Sequence, residues 1–206
     1  DIKDAEKIAT IAVTVEVTNQ MLKDLPHGFF RGNPAGIWQP VKLVVTEPVK
    51  IEDVYIKPSL TGAEFEITVK NYNSKKSEFS ISTNITDKGT GENLLSEISI
   101  PKSELNSGEE KVFTFNVKDL VPKLWSPTNP NLYDFSFFIN DLKNNKLVDS
   151  KIICSGFRTF ETKGDYLYLN GNRYWLRAAN HTPHALGIND VALAEKTFQL
   201  YHDGNI

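Results

Sequence analysis

The sequence has one cysteine, no excess of basic charge and no long apolar run. The lone Cys154 can form neither a disulfide within the chain nor a cysteine-based zinc cluster. The 206 residues include 23 basic and 26 acidic side chains, a formal net charge of -3, which is not the basic balance of nucleic-acid-binding domains. No apolar segment approaches the roughly 20 residues of a membrane-spanning helix. Neither a nucleic acid nor a membrane is therefore expected as a partner.

The first residues also lack the features of a secretory leader. Residues 1–4 are acidic, and no apolar core follows them. A signal peptide has a basic start and an apolar centre, so none is predicted here.

What the sequence has instead is a regular alternation of apolar and polar residues. Residues 8–17 alternate in this way and predict a β-strand, whereas prolines and glycines between residues 19 and 40 predict a long loop. From residue 51 to residue 158, about seven short alternating segments predict an immunoglobulin-like β-sandwich. One of them, residues 95–100, is predicted as a short extra strand. The predicted inward-facing residues of the first six segments are Val54, Ile56, Phe65, Ile67, Val69, Phe79, Ile81, Thr83, Ile85, Phe113, Phe115, Val117, Tyr133, Phe135, Phe137 and Ile139.

Two further residues of this segment receive individual predictions. Trp125 lies in a proline-flanked turn and is predicted to cover one end of the sandwich rather than to stack on a ligand. Cys154 alternates with Val148, Ser150 and Ile152 and is predicted to face inward as a small core residue. The sequence has no Cys-Trp-Cys framework, which excludes the antibody branch of the fold.

A β-hairpin is predicted immediately after the sandwich. Residues 166–169 and 173–176 favour β-structure, and Asn170-Gly171 separates them. Asn and Gly both tolerate the positive φ angles of a type I′ turn, so this pair predicts a tight hairpin.

The pattern then changes from strand to helix. Residues 173–180 run into a polar loop, and Asn189 or Asp190 can cap a helix that ends at Gly204. The helical spacing is carried by Val191, Ala194, Phe198 and Tyr201. A strand followed by a polar loop and a helix is typical of the β/α units of α/β enzymes.

Several ordered motifs resemble glycoside hydrolase family 2, the β-galactosidase, β-glucuronidase and β-mannosidase group. Three of them lie at the end of the chain, at residues 156–158 (GFR), 169–173 (LNGNR) and 175–181 (WLRAANH). The other two are residues 36–41 (GIWQPV) and 124–133 (LWSPTNPNLY). One departure is Ala178, where the family usually has glycine.

The resemblance implies a mainly β chain with three parts. Residues 1–46 would be the C-terminal part of a jelly-roll sugar-binding domain, and residues 47–158 the immunoglobulin-like sandwich. Residues 159–206 would begin a (β/α)₈ catalytic barrel, with residues 173–180 as its first strand. The chain would then be a fragment of a larger glycosidase. An extracellular or periplasmic location is favoured for such an enzyme of bacterial origin, and the unpaired edges of a half-domain would allow a homo-oligomer.

The resemblance also implies substrate-binding residues in the loop after that strand. Asn180 and His181 are the first candidates, followed by Arg177, His184 and Thr182. Amide, imidazole and guanidinium groups suit sugar hydroxyls, which need convergent donors and acceptors. Alternatively, Arg177 and Asn180 only hold the loop against the barrel. In the jelly-roll part, residues 29–31 (FFR) are further candidates for sugar contacts.

No catalytic residue is expected within this chain. Glycoside hydrolysis generally needs two carboxyl groups about 5 to 5.5 Å apart when configuration is retained. The family places them on later barrel strands, one within an Asn-Glu pair, and no such pair occurs here. The acidic residues after the sandwich are predicted on turns or a helix face: Glu161, Asp165, Asp190, Glu195 and Asp203. No cofactor is expected, and no metal either, because His181 and His184 lack a third ligand.

The predicted function is therefore that of a non-catalytic fragment of a glycosidase that hydrolyses terminal β-linked sugars, β-galactosidase-like by resemblance. Its substrate in the complete enzyme would be a carbohydrate. The alternative is a free-standing immunoglobulin-like module that binds carbohydrate or protein. A β/α unit has no use in such a module, and its apolar residues would be exposed there. The sequence therefore favours the enzyme fragment.

Overall fold

The computed structural model of the chain describes residues 12–15, 37, 40–42, 44–178 and 190–204. The chain divides into two compact units, residues 1–45 and residues 46–206. Within the first unit, residues 12–15 of the predicted strand are exposed and are not assigned to a sheet. Among the described residues, no helix has the length and apolar character needed to cross a membrane.

Seven strands of the second unit form two antiparallel sheets, which confirms the predicted sandwich. One sheet has the order β1-β2-β5 and the other has the order β4-β3-β6-β7. The strands are β1 (Val49–Pro58), β2 (Ala63–Asn71), β3 (Ser77–Asp87), β4 (Asn93–Leu105), β5 (Glu110–Val117), β6 (Tyr133–Asp141) and β7 (Lys146–Ser155). Their alternating burial arises because successive side chains point to opposite faces of a sheet.

The core lies between the two sheets and is rich in phenylalanine. The Phe65 ring on β2 lies 5.4 Å from the Phe137 ring and 6.0 Å from the Phe135 ring, both on β6. These edge-on contacts join the sheets directly, and such aromatic pairs add stability beyond the area they bury. The inward-facing residues predicted on β1, β2, β3, β5 and β6 are all buried or packed against this core.

The prediction for Cys154 is wrong, because a bulge reverses the alternation of β7. The pairing of β6 with β7 is irregular between Ile139 and Asn140, where β7 contains one extra residue, Val148. Val148 packs against the core and the following Asp149 is also turned towards the other sheet, where its carboxylate accepts a 2.7 Å hydrogen bond from the Ile51 N–H. An extra residue moves every later side chain to the opposite face. Cys154 is consequently exposed.

The long strand β4 lies at one edge of the four-stranded sheet. It has 13 residues, many more than the predicted 95–100, and its pairing with β3 is irregular at three places. One irregularity lies opposite Pro101, which has no N–H to donate.

Asn71 at the end of β2 is fully buried and satisfies the backbone around it. Its Oδ1 accepts from the Asn73 N–H at 2.9 Å and from the Ser77 hydroxyl at 3.3 Å. Its Nδ2 faces the carbonyl oxygens of Lys75 at 2.9 Å and of Leu105 and Asn106 at 3.0 Å each. One amide therefore joins three chain segments at this end of the sandwich.

A small third sheet follows the sandwich, with the antiparallel order β10-β9-β8. Its strands are β8 (Phe160–Lys163), β9 (Tyr166–Leu169) and β10 (Asn172–Tyr174). Asn170 has φ 52° and Gly171 has φ 79°, the positive angles that the predicted hairpin turn requires. The second arm is shorter than predicted, because β10 ends at Tyr174 and residues 175–178 are not in a strand. A parallel strand is stable only between neighbours, and none of the described strands pairs in parallel.

The chain continues in helix α1 (Val191–Asp203). Asp190, one of the two predicted candidates, caps it, since its carboxylate accepts a 2.9 Å hydrogen bond from the Leu193 N–H. Gly204 follows the last turn and its N–H donates to the Leu200 carbonyl at 2.9 Å. No residue of α1 is buried, and its apolar side chains Val191, Phe198 and Leu200 are each more than 60% exposed.

Candidate functional site

The site predicted from sequence follows the hairpin that comes after the sandwich. A turn of the sandwich forms one wall of the cleft beside this hairpin. This turn, residues 124–131, connects β5 to β6. Asn131 holds it closed by donating from Nδ2 to the Leu124 carbonyl at 2.9 Å. Trp125 is half-buried in the turn, and the Arg158 guanidinium lies 4.7 Å from its ring centroid. A cation over an aromatic face is attracted by the ring quadrupole.

The segment between β7 and β8, residues 156–159, is here called the connector, and it runs directly beneath Trp125. The Trp125 N–H donates to the Phe157 carbonyl at 2.9 Å. A Cβ at Gly156 would lie only 2.7 Å from the Trp125 Cβ and 3.0 Å from the Asn131 carbonyl oxygen, so glycine is needed here. Phe157 itself is fully buried, with its ring 5.1 Å from that of Tyr133.

Asn170 at the tip of the hairpin binds both the connector and the turn. Its Oδ1 accepts from the Thr159 N–H at 3.1 Å, and its own N–H donates to the Thr159 carbonyl at 2.9 Å. Its Nδ2 donates to the Trp125 carbonyl at 2.9 Å. The Asn170 side chain therefore links the hairpin to both the connector and the turn.

The turn and the hairpin border an open cleft of about 670 Å³. Its wall includes Ser126 and Thr128 from the turn, and Arg173, Trp175 and Arg177 from the hairpin and the segment after it. The Arg173 guanidinium is stacked 3.6 Å from the Tyr166 ring centroid, and the Trp175 side chain is 77% exposed. Of the described residues in this wall, none is Asp or Glu, so the cleft favours neutral or anionic groups.

Among the predicted substrate-binding residues, only Arg177 lies in the part of the chain that the structure describes. It is exposed at the cleft. Asn180, His181, Thr182 and His184 lie outside the described residues, as do residues 29–31.

Three of the acidic residues that follow the sandwich have local structural partners. Glu161 forms a 3.0 Å ion pair with Lys163 on β8, and Asp190 caps α1. At the end of α1, a 2.7 Å hydrogen bond from Gln199 lowers the pKa of Asp203, with a smaller contribution from His202. Within the described part of the chain, no group of three His, Cys, Asp or Glu side chains could hold a metal ion.

The structural roles of Asn170 and Gly156 were missed by the sequence analysis. Asn170 was predicted only as a turn residue, because an Asn-Gly pair explains itself locally. Nothing in the pair indicates that the amide contacts residue 125, which lies 45 positions earlier. Gly156 could have been suspected, since a glycine at the end of a strand often marks a close approach of another segment.

Comparison with known proteins gives a consistent result. Residues 49–158 match the family model described as glycosyl hydrolases family 2. A β-galactosidase of Alteromonas mediterranea is 27% identical over 154 residues, which cover 73% of this chain and 15% of that protein. A β-galactosidase of Thermoanaerobacterium thermosulfurigenes is 28% identical over 154 residues, which cover 74% of this chain and 20% of that protein.

Solved structures show a related fold. The crystal structure of Bacteroides uniformis β-glucuronidase matches 64% of this chain and 17% of its own, with a TM-score of 0.53 and 25% sequence identity. The chain thus spans 20% or less of the length of each of these three relatives.

Proposed function

The chain belongs to glycosyl hydrolases family 2, and from that premise we propose that it is a non-catalytic part of a glycosidase that removes terminal β-linked sugars. Two relatives that are 27% and 28% identical to it are named β-galactosidase, which makes β-galactosides the first substrates to test. The family match, which covers residues 49–158, is the observation that carries this proposal.

The sandwich serves as a spacer between a sugar-binding domain and the catalytic barrel. In this proposal residues 1–46 end the sugar-binding domain and residues 159–206 begin the barrel. The hydrogen bonds of Asn170 to the connector and to Trp125 support the spacer role, because they attach the segment after the sandwich firmly to it. A spacer has to be stiff to hold a binding site in a constant position.

The placement of the acidic residues described after the sandwich supports the non-catalytic assignment. Hydrolysis with retention needs two carboxyl groups about 5 to 5.5 Å apart on either side of the glycosidic bond. Glu161 is paired with Lys163, and Asp190 and Asp203 lie at opposite ends of α1. The catalytic carboxylates would be in a part of the enzyme that this chain does not include.

The segment after β10 would contribute to the substrate-facing rim. Arg177, Asn180, His181 and His184 would donate or accept hydrogen bonds with sugar hydroxyls there. The exposure of Arg177 at an open cleft whose described lining residues include no Asp or Glu is compatible with this role.

The test compares this chain with the protein extended through the rest of its reading frame. Both are assayed against nitrophenyl β-galactoside, β-glucuronide and β-mannoside. Activity of the extended protein alone supports the proposal and identifies the sugar. Turnover by the 206-residue chain would refute the non-catalytic assignment. An extended protein that is inactive on all three glycosides would refute the proposed glycosidase activity.

The substrate-binding residues are tested separately in the extended protein. His181→Ala should raise KM for the preferred glycoside, whereas Lys143→Ala in the exposed turn between β6 and β7 should leave it unchanged. Equal KM values for the two variants would rule out a sugar contact at His181.

A further inference from the structure

We infer that four residues, here called the Trp125 clamp (Trp125, Gly156, Arg158 and Asn170), fix the hairpin to the sandwich and position the segment after Tyr174. The inference rests on the proposed function, since it makes Trp125 and Asn170 positioning residues of that glycosidase. Neither residue would touch the substrate. Their effect would reach it through the backbone that leads from β10 to Arg177.

The hairpin side of the clamp uses three hydrogen-bonding groups of Asn170. The side-chain carbonyl and the backbone N–H pair with Thr159, and the side-chain amide pairs with the Trp125 carbonyl. Because these bonds point in different directions, the hairpin cannot swing about the connector without breaking at least one of them.

The sandwich side of the clamp is continuous with the hydrophobic core. Trp125 donates its N–H to the carbonyl of Phe157, whose ring is fully buried between Tyr133 and Phe135. Glycine at position 156 lets the Trp125 Cβ lie directly on the connector. A tight connector leaves no space for a hinge, so the sandwich and the hairpin move as one body.

Small movements at this point would be transmitted to the rim. Arg177 follows the last residue of β10 by only three positions, and the predicted sugar contacts Asn180 and His181 follow Arg177 by three and four positions. A displacement of about 1 Å at a binding group can cost about a hundredfold in rate. Clamp residues would therefore affect turnover without contacting the sugar.

The experiment uses Asn170→Gly and Asn170→Asp in the extended protein. Glycine keeps the positive φ of 52° at low cost but removes both side-chain hydrogen bonds. Aspartate keeps the acceptor for the Thr159 N–H but cannot donate to the Trp125 carbonyl. The matched control is Asn145→Gly, a position with φ 51° in the turn between β6 and β7.

The measurements are kcat and KM with the preferred nitrophenyl glycoside, and hydrogen exchange of residues 160–174 in the 206-residue chain. Both Asn170 variants should lower kcat/KM by about tenfold or more and speed this exchange, while the protection of β2, β3 and β6 stays unchanged. The control should stay within about twofold of wild type in both measurements.

Three results would overturn the inference. The first is exchange and kcat/KM within about twofold of the control for both variants. The second is a lower melting temperature with unchanged kcat/KM of the folded protein, since that is a stabilising role and not a positioning one. The third is normal activity of Asn170→Asp, because the contact with Trp125 would then be irrelevant. An inactive wild-type extended protein would instead refute the proposed function, and hydrogen exchange would still decide whether the clamp is rigid.

Discussion

Replacing Asn71 with aspartate measures how much stability one buried amide contributes. The Asn71→Asp substitution keeps the shape of the side chain and replaces its donor, Nδ2, with an acceptor oxygen. In the native protein Nδ2 faces three carbonyl oxygens at 2.9 to 3.0 Å, those of Lys75, Leu105 and Asn106. A carboxylate in this place would repel all three, and the buried Leu105 carbonyl would lose its side-chain partner.

The size of the effect follows from the number of hydrogen bonds. The Asn71 side chain makes five polar contacts, but Nδ2 has only two hydrogens for its three acceptors, so they amount to about four hydrogen bonds. At about 1 kcal/mol net for each, Asn71→Ala should lower the free energy of unfolding by about 3 to 5 kcal/mol. Asn71→Asp should cost at least as much near neutral pH, because an ionised carboxylate would be buried there. Domains of this kind are stable by about 5 to 15 kcal/mol in total, so the loss is easily measured.

The deficit of Asn71→Asp should shrink as the pH falls. Burial against carbonyl oxygens disfavours the ionised acid, so the pKa of this aspartate would be higher in the folded state than the value of about 3.9 in the unfolded chain. The folded state then binds the extra proton, and the destabilisation is largest above the folded-state pKa and is relieved below it.

The native carboxyl group of Asp87 has the opposite pH dependence, since it loses stability as the pH falls. Its contribution has to be separated from that of position 71. Hydrogen bonds from the backbone N–H groups, that of Thr90 first and then that of Gly89, lower the pKa of Asp87, and Lys123 adds to them. The stability that Asp87 contributes is present above its unfolded pKa and is lost as the pH falls. The wild type and the Asn71→Asp variant share this loss. The difference between their free energies of unfolding therefore reports on position 71 alone.

The assay is urea unfolding of this chain, followed by circular dichroism at about pH 7 and about pH 4. Asn145→Asp, in an exposed turn, serves as the control for an added carboxylate. A cost below about 0.5 kcal/mol for Asn71→Asp at neutral pH would refute the reasoning, as would a deficit that grows as the pH falls.

Two further predictions concern the connector and β7. Gly156→Ala should lower the free energy of unfolding by about 1 to 3 kcal/mol, since the new Cβ would lie 2.7 Å from the Trp125 Cβ. Gly89→Ala, whose Cβ would lie 3.3 Å from its nearest neighbour, should change the urea midpoint little, and equal effects of the two would contradict the close contact. The exposed Cys154 thiol should react with Ellman's reagent in native buffer within about tenfold of its rate in the urea-unfolded chain. Reaction in urea alone would mean that the thiol is buried after all.

The sequence was most informative where one local rule acts alone. Alternation identified the strands and the core, because a half-buried strand exposes every second residue whatever its partners are. The turn at Asn170 and the cap at Asp190 were predicted correctly because each depends on the chemistry of two or three neighbouring residues.

Predictions failed or were missed where distant segments interact. The bulge at Val148 depends on how β7 pairs with β6, so alternation alone placed Cys154 on the wrong face. The contact of Asn170 with Trp125 depends on the path of the chain between them, which no local pattern encodes. Of the candidate site, Arg177 could be placed at a cleft, while the sugar contacts at Asn180, His181 and His184 stay predictions.

The edge strand β4 affects how this chain behaves at high concentration. An unpaired strand edge is a template on which another molecule can add a strand, and this is a common start of aggregation. Pro101 has no N–H to offer such a strand, and the three pairing irregularities of β4 disturb the straight row of groups that it would need. Along its outer side, where no described strand pairs with it, the longest strand of the sandwich should therefore be a poor template for fibril-like growth.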